Sequence, residues 1–369
     1  MGKDKIRVLF VSPRGGVEAG GIAKWTGNIL EYYSTIQDVS QIELVHCYNS
    51  KSLTTFGSEG LIKRIMKGFR NYLPMVKAAV RELKSGNYDC VHLCTSASLG
   101  LLRDLVLTSY AHRHNARVVV HFHFGRIPQI LKSSGWEHRL LERLLNKVDY
   151  SIVMDKFSYK ALQANGYQNI KYIPNPLSLG VQKIIDENKS ISRIPVKLVF
   201  VGQMLKTKGI SELAEATSTI PGIKVEYIGY MPESDFSESF KSKLDSSKYI
   251  LTGSVPAEKV ITEMLSAAMF VLPTYTEGFP NVIIESMACG CPIITCPVGA
   301  IPEMLNTESD EPCGICVPSQ NVEKLREAIE YVLEHPSEAA IMGERARQRV
   351  YAEYSVDKVW KELAEVWSA

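Results

Sequence analysis

The segment from residue 277 to 292, EGFPNVIIESMACGCP, carries residue types and a spacing that suit the binding of a phosphate. It follows an apolar run of strand length, and its own pattern predicts a loop that turns into a helix. Pro280 suits the first helical position, because proline has no backbone N–H that would need a partner there. The amides around Phe279, Asn281 and Val282 are then expected to point outward. Such a helix start favours a phosphate or a diphosphate.

Two glutamates of this segment suit the binding of hydroxyl groups. Glu285, about a turn and a half into the predicted helix, is expected to accept hydrogen bonds from a ribose. Glu277 lies in the loop and is expected to accept them from a second polyol. This layout predicts a nucleotide-sugar site. A glycosidase is disfavoured, because its two carboxyl groups must flank one bond, roughly 5–5.5 Å or 6.5–9.5 Å apart, and Glu285 is predicted beside the ribose.

Two glutamates separated by seven residues, followed by a small-residue turn and a proline, resemble the signature of retaining glycosyltransferases of the GT-B fold, family 4 (group 1). Other segments resemble that family in the expected order over nearly the whole chain. They are the glycine loop Ala19–Ile22, the strand end His121–His123, the segment Val201–Gly209 and the turn Val298–Glu303.

The resemblance implies a donor site made of strand ends and helix starts. Lys208 follows a buried strand and is expected to bind the diphosphate, together with the backbone amides of Gly20 and Gly21. Gln203 stands where the family usually has an arginine, and a neutral glutamine binds phosphate more weakly than a bidentate guanidinium. The other expected donor-site positions are Tyr230, Ser254 and Val255 for the base, and Phe279, Pro280, Asn281, Val282 and Glu285 for the diphosphate and ribose.

The resemblance assigns catalysis to Glu277 and to His123, with His121 as the alternative. The two histidines end an apolar strand, and residues two apart on a strand point the same way. The implied role of the histidine is to hold the primary hydroxyl of the sugar while its backbone carbonyl faces the anomeric carbon. Lys24 and Arg126 are expected to contact the acceptor, and Arg126 is predicted to meet an acceptor phosphate.

The implied enzyme is a retaining, metal-independent hexosyltransferase. It is expected to move a sugar from a nucleotide-sugar, with UDP as the predicted carrier, to a saccharide or lipid-diphosphate-linked acceptor in cell-surface polysaccharide or glycolipid biosynthesis. The resemblance implies that no metal or other cofactor is needed, and the absence of an Asp-x-Asp motif from the chain agrees with this. Two alternatives stay open: a nucleotide-sugar 2-epimerase, which would need further carboxylates in the first domain, and a non-catalytic nucleotide-sugar-binding subunit, which the Gln203 departure favours.

The length and composition are those of a two-domain globular protein. The chain has 369 residues, of which 45% are hydrophobic and 22% charged. No apolar run approaches the roughly 20 residues of a spanning helix. The first apolar run, from residue 6 to 11, is typical of a buried strand and not of a signal peptide. We therefore expect a cytoplasmic protein.

The charge is distributed unevenly along the chain. Residues 1–180 hold 24 Lys and Arg against 13 Asp and Glu, a net charge of +11, while the remainder holds 18 against 27, a net charge of −9. Residues 61–84 predict a basic, amphipathic helix pair around Pro74. Two interpretations stay open for it: helices with a solvated basic face, or contact with anionic lipids or a lipid diphosphate at the inner face of the cytoplasmic membrane. A nucleic-acid partner is not predicted, because no groove-reading motif or aromatic platform accompanies the charge.

Apolar runs of strand length alternate with amphipathic segments, six runs in each half, which predicts an α/β fold of two doubly wound, Rossmann-like domains. The predicted domains are 1–180 for the acceptor and 193–350 for the nucleotide-sugar, facing across a cleft, with 351–369 as a helix that returns to the first domain. The proline-containing residues 174–177 and the polar stretch 186–192 are predicted to mark a linker. The pair Cys313 and Cys316 has the spacing of a zinc or redox site, and a structural role is the favoured interpretation.

Overall fold

The structure is a computed structural model that describes residues 5–14, 20–48 and 61–369, with the side chains of 61–72 outside the description. The chain forms two compact units. Unit 1 consists of Met1–Pro176 and Val356–Ala369, and unit 2 of Leu177–Ser355. Each unit contains one sheet of six parallel strands, so the predicted α/β class is confirmed.

The sheet of unit 1 has the strand order β2-β1-β3-β4-β5-β6. The strands are β1 (Ile6–Val11), β2 (Ile42–Cys47), β3 (Cys90–Thr95), β4 (Arg117–Phe122), β5 (Tyr150–Val153) and β6 (Ile170–Tyr172). The helices between them are α1 (Gly21–Ile36), α2 (Leu61–Ser85), α3 (Gly100–Arg113), α4 (Ile127–Leu131), α5 (Trp136–Leu145) and α6 (Lys156–Ala164).

The sheet of unit 2 has the order β12-β11-β10-β7-β8-β9. The strands are β7 (Ile194–Val201), β8 (Lys224–Ile228), β9 (Tyr249–Gly253), β10 (Ala267–Leu272), β11 (Ile293–Thr295) and β12 (Ile315–Cys316). The helices are α7 (Leu179–Glu187), α8 (Ile210–Ser218), α9 (Asp235–Ser242), α10 (Ala257–Ser266), α11 (Asn281–Ala288), α12 (Ile301–Met304), α13 (Val322–Glu334) and α14 (Pro336–Glu353), followed by α15 (Val356–Ser368) of unit 1.

The strands form where the sequence has short, continuous apolar runs. Val8–Val11 and Val118–Val120, for example, are fully buried, as expected for parallel strands covered by helices on both faces. Each of the twelve predicted strand segments overlaps a strand of the described structure, and the ends differ by at most three residues.

Helix α7 lies mostly between the two predicted linker segments and extends into the second of them at residues 186 and 187. Ser178 caps this helix by accepting a hydrogen bond from the amide of Val181. Val181 and Ile185 are buried, and α7 contacts α10 and α11 of unit 2. This amphipathic helix packs within unit 2, and it continues for two residues into the polar stretch 186–192.

The predicted helix pair around Pro74 is wrong, because α2 is one helix that continues through the proline. Met75, Ala79 and Leu83 follow at helical spacing and are fully buried in the core of unit 1. This packing offsets the lost backbone hydrogen bond. In the described part of the chain, no helix has the length and apolarity needed to cross a membrane.

Helix α15 completes the core of unit 1. Its apolar positions, Val356, Val359, Trp360, Leu363, Val366 and Trp367, are all buried. The indole Nε1–H of Trp367 donates to Nδ1 of His92 on β3 at 3.0 Å. Arg117 donates to the backbone carbonyls of Trp367 and Ala369.

Candidate active site

The carboxyl ends of β7 and β10 are neighbours in the sheet of unit 2 and carry the loops of the predicted donor site. After β7 the chain forms a 3₁₀ turn, Lys206–Lys208, and after β10 it runs from residue 273 to 280 into α11. The two loops hold each other: the amide of Tyr275 donates to the carbonyl of Thr207 at 2.9 Å, and the Thr274 hydroxyl donates to the same carbonyl at 3.4 Å. Open parallel sheets bind ligands at this edge.

Gly209 makes the contact between these loops possible. It adopts a left-handed conformation with φ of +71°, and a Cβ at this position would lie 2.1 Å from the carbonyl oxygen of Pro273. Glycine alone satisfies both conditions, because other residues pay for positive φ and also carry the clashing atom.

Gly209→Ala is expected to lower the free energy of unfolding of unit 2 by about 3 kcal/mol or more, because backbone clash adds to the cost of positive φ. Gly222→Ala is the matched control: its φ is +70°, but no atom lies within 4 Å of the added Cβ. We expect it to cost only about 1 kcal/mol. Urea unfolding with hydrogen exchange of the β7 and β10 amides measures both. Equal costs would contradict the role given to the Pro273 contact.

Lys208 and Glu277, each predicted to bind a different part of the donor, form an ion pair. Nζ of Lys208 lies 2.5 Å from Oε1 of Glu277, and their side chains are 23% and 15% exposed. The two residues are 69 positions apart. Sequence reasoning placed both in the site but missed the pairing, which arises only because β7 and β10 are adjacent.

A second side-chain pair, between the loop after β10 and helix α8, was not predicted from the sequence. The Tyr275 hydroxyl donates to Oε1 of Glu212 in the first turn of α8. Burial, and then the hydrogen bond to Glu212, raise the pKa of Tyr275, so the phenol stays protonated. Nothing in the local sequence pattern indicates this contact.

Helix α11 begins one residue later than predicted. Pro280 is the N-cap residue, with extended backbone, and Asn281 is the first helical residue. The helix start at the carboxyl end of β10 is otherwise where the sequence placed it, with Phe279 and Glu285 largely buried and Val282 half-buried. Gly299, also left-handed, packs against the carbonyl of Glu277, and the amide of Ala300 donates to the carbonyl of Gly278 at 2.9 Å. The turn that resembles the family's second motif therefore supports the Glu277 loop.

A pocket of about 280 Å³ opens beside this loop pair, at the carboxyl ends of β8 and β9. Tyr230 lies in it and is 59% exposed. The lining residues are Met204, Gly229, Tyr230, Met231, Lys241, Leu251, Gly253 and Ser254. Of the two adjacent residues predicted for the base, Ser254 lines the pocket and Val255 is not among its lining residues. Gln203 is exposed in the adjacent loop, next to Met204.

In unit 1, Gly20 and Gly21 lie at the start of α1. Gly20 is the N-cap residue, and its carbonyl accepts from the amides of Ala23 and Lys24. Both glycines and Lys24 are exposed, and no atom of the described residues lies within 4 Å of a Cβ added to either glycine. Packing against the described part of unit 1 therefore does not require glycine at either position.

His121 and His123 point the same way, as the strand spacing predicted. Their rings stack with centroids 4.0 Å apart, and each centroid is 4.7 Å from the indole of Trp25. His92, on the neighbouring strand β3, lies 5.5 Å from His121. His121 is fully buried, whereas His123 retains some exposure at the strand end.

Burial keeps these three rings neutral. Desolvation lowers the pKa of His92 and of His123 to about 3, and it lowers that of His121 well below its usual value. A neutral imidazole can donate one hydrogen bond and accept another. His123 is the better placed of the two candidates to hold a sugar hydroxyl, because His121 is sealed in the core.

Arg126, predicted to meet an acceptor phosphate, is already bound to a carboxylate. Its two terminal nitrogens donate to Glu137 at 2.7 Å and 2.5 Å. The described residues include no group of three or more His, Cys, Asp and Glu side chains that could hold a metal ion. Cys313 and Cys316 are unbonded thiols, and burial raises the pKa of both.

Comparison with known proteins places both units in one family. The family described as "Glycosyl transferases group 1" matches residues 182–349, and "Glycosyltransferase Family 4" matches residues 36–180. The putative teichuronic acid biosynthesis glycosyltransferase TuaC of Bacillus subtilis is 26% identical over 72% of this chain and 71% of its own. The capsular polysaccharide biosynthesis glycosyltransferase CapM of Staphylococcus aureus is 26% identical over 64% of this chain and 60% of its own.

The fold is also found in solved structures. HepE of Anabaena in complex with UDP has a TM-score of 0.71 over 99% of both chains, at 16% identity. At that identity the likeness shows the fold alone, a GT-B arrangement of two Rossmann-like sheets. The two family matches together span most of the chain, and they show that it is a glycosyltransferase and belongs to family 4, the group 1 glycosyltransferases.

Proposed function

We propose that this enzyme is a retaining, metal-independent glycosyltransferase that moves a hexose-type sugar from a UDP-sugar to a saccharide or lipid-linked acceptor. The observation that carries the proposal is the Lys208–Glu277 pair, 2.5 Å apart, at the strand ends that also hold the start of α11. A cation and a carboxylate at one point match a donor that has an anionic diphosphate next to a neutral polyol.

The proposed roles follow from charge and hydrogen bonding. Lys208 and the first-turn amides of α11 stabilise the diphosphate as the glycosidic bond breaks, which supplies the positive charge that other transferases take from a metal. Glu277 accepts hydrogen bonds from the sugar, and Glu285 from the ribose. The exposed ring of Tyr230 and its pocket suit a planar base.

The class of product comes from the relatives. TuaC is named for teichuronic acid biosynthesis and CapM for capsular polysaccharide biosynthesis. We infer that the present enzyme takes part in the synthesis of a cell-surface polysaccharide or glycolipid. UDP as the carrier is supported by HepE, which was solved in complex with UDP.

UDP is expected to raise the melting temperature of the purified enzyme, whereas GDP, ADP and CDP are not. At a concentration of 100 times Kd, the ligand adds about 2.7 kcal/mol of stability. EDTA should leave the shift unchanged, and Lys208→Ala should remove it. A shift that requires magnesium would contradict metal independence, and no shift with any nucleotide would favour the non-catalytic alternative. Conversion of the donor itself without acceptor would favour the epimerase.

Contact with an anionic membrane surface belongs to the same proposal. In its described part, α2 carries Lys77, Arg81 and Lys84 beside a groove that they line together with Val80, and Leu73 is exposed on the same helix. Basic side chains near an apolar surface suit anionic head groups. We infer a cytoplasmic enzyme that associates peripherally with the inner face of the cytoplasmic membrane. Flotation with anionic vesicles, against neutral vesicles, tests this part.

A further inference from the structure

A polar cluster lies at the carboxyl ends of β3 and β4 in unit 1, apart from the histidines. Arg126 follows β4, Glu137 lies in the first turn of α5, and Ser98 lies between β3 and α3. Oε1 of Glu137 accepts from the amide of Ser98 at 2.9 Å and from its hydroxyl at 3.0 Å, in addition to the two bonds from Arg126. Three separate loops are therefore joined through one carboxylate.

The backbone is strained where it joins this cluster. Ala97 and Ser98 both have positive φ, 70° and 54°, although neither is glycine. Each such residue costs about 1–2 kcal/mol, whereas an exposed ion pair returns at most about 1 kcal/mol. Stability alone does not explain the arrangement, and strain of this kind is concentrated at binding sites.

The cluster presents no net charge to a ligand. The hydrogen bonds from Arg126, followed by those from Ser98, hold the pKa of Glu137 below its usual value, so the carboxylate stays ionised beside the guanidinium. The guanidinium also lies 5.7 Å from the ring of Phe124. The carboxylate of Glu137 would repel a phosphate at Arg126, whereas a neutral ligand can accept a hydrogen bond from Arg126 and donate one to Glu137.

An exposed indole lies in the same first turn of α5 as Glu137. Trp136 precedes Glu137 and is 56% exposed, whereas the other three tryptophans of the chain are almost fully buried. An indole offers a rigid apolar face at low entropic cost. A pyranose ring has one face of C–H groups and an edge of hydroxyls, so it matches an aromatic face beside paired donors and acceptors.

We propose that Trp136, Arg126 and Glu137 form a binding site for a neutral saccharide ring of the acceptor. Trp136 stacks on the apolar face of the ring, and the Arg126–Glu137 pair exchanges hydrogen bonds with its hydroxyls. This inference rests on the proposed function, because it names the substrate class of the acceptor side.

Acrylamide quenching of tryptophan fluorescence tests the proposal, because Trp136 dominates the quenchable signal. The probes are maltose, cellobiose, lactose and N,N′-diacetylchitobiose, compared with inorganic phosphate and diphosphate at equal ionic strength. At least one neutral disaccharide is expected to reduce quenching of the exposed indole by about twofold or more, as burial of the ring against a ligand requires. The two anions are expected to have no effect.

Glu137→Gln is the decisive variant. It removes the charge that neutralises Arg126, so protection by the disaccharide should be lost and protection by diphosphate should appear. Glu142→Gln, an exposed position on the same helix, is the matched control and should behave as the wild type. Trp136→Phe should abolish the quenchable signal.

Two results would overturn the proposal: protection of the wild type by diphosphate, which would make the cluster an anion site that Lys132 and Arg139 assist, or no protection by any saccharide. The UDP melting shift, measured in the same samples, separates the two failures. If UDP raises the melting temperature but no saccharide protects Trp136 from quenching, only this inference is wrong. If a saccharide protects Trp136 but UDP does not raise the melting temperature, the proposed donor is wrong.

Discussion

Glu277→Gln is expected to leave UDP binding unchanged or tighter while transfer falls by a factor on the order of 10² to 10³. The effects on UDP binding and on the rate of transfer differ because Glu277 is paired with Lys208. The carboxylate of Glu277 holds the Lys208 ammonium at 2.5 Å, and its removal leaves the full charge of Lys208 available to a diphosphate. The neutral amide can no longer act as a charged acceptor for the sugar hydroxyls, which is where the proposal places its effect on transfer.

Lys208→Ala should act in the reverse sense. It removes the cation and leaves the Glu277 carboxylate, 15% exposed, beside the diphosphate. We expect UDP binding to weaken by about 100-fold, since a charged hydrogen bond and an unpaired carboxylate together account for about 3 kcal/mol.

Isothermal titration with UDP and initial rates with a donor sugar measure both variants, and the double variant closes the cycle. The coupling energy between the substitutions at Lys208 and Glu277 should be large for UDP binding. Additive effects would show that the two side chains do not share the ligand, and weaker UDP binding by Glu277→Gln would place the carboxylate in contact with the nucleotide itself.

Near pH 5, the free energy of unfolding of unit 1 is expected to fall by about 4 kcal/mol for each unit by which the pH is lowered. The reason is that three buried histidines bind no proton in the folded state. Their unfolded pKa is about 6.5, whereas burial lowers it to about 3 for His92 and His123 and well below its usual value for His121. The unfolded chain therefore takes up protons that the folded chain does not. This stability is fully present above pH 6.5 and is lost as the pH falls toward the folded pKa.

Other groups of unit 1 also titrate and must be separated from these. The pKa of His46 is lowered by burial and adds to the loss. Burial raises the pKa of Asp104 and of Asp155, and these carboxyl groups work in the opposite direction as the pH falls.

His121→Phe isolates the effect, because the other groups cancel in its comparison with the wild type. The dependence of unfolding free energy on pH should fall by about 1.4 kcal/mol per pH unit, the equivalent of one proton. Urea titrations between pH 7 and 5, with hydrogen exchange to follow each unit, provide the measurement. Unit 2 serves as an internal control, since His335 is its one histidine among the eight of the chain. An unchanged slope would mean that His121 titrates normally in the folded protein.

Apolar run length was enough to predict the strands, because a parallel strand buried on both faces must be apolar throughout. Local composition misled in two places. Pro74 and the polar end of α7 suggested breaks, but packing against the core maintained a helix in each. The competition between a local signal and tertiary packing is not visible in the sequence.

The sequence motifs predict roles for single residues of the candidate site, but they do not predict which of these residues pair with each other. Motifs placed Lys208, Glu277 and Arg126 in binding roles. The structure adds that each is already paired within its own unit: Lys208 with Glu277, and Arg126 with Glu137. Such pairs depend on the order of strands in a sheet and on the directions of loops, which a list of motifs does not contain. The pairing of Arg126 with Glu137 is the reason why we propose a neutral ligand there in place of the predicted phosphate.

Unit 1 is discontinuous in sequence, since α15 supplies the last part of its core from beyond unit 2. During synthesis, the strands of unit 1 leave the ribosome first, yet Trp367 reaches His92 only after all of unit 2 has been made. Domains usually fold in the order of their synthesis. Here the order of completion is inverted: unit 2, which is contiguous, has all of its residues before unit 1 does. The strands of unit 1 are synthesised first, but the core of unit 1 lacks the side chains of α15 until unit 2 has been synthesised.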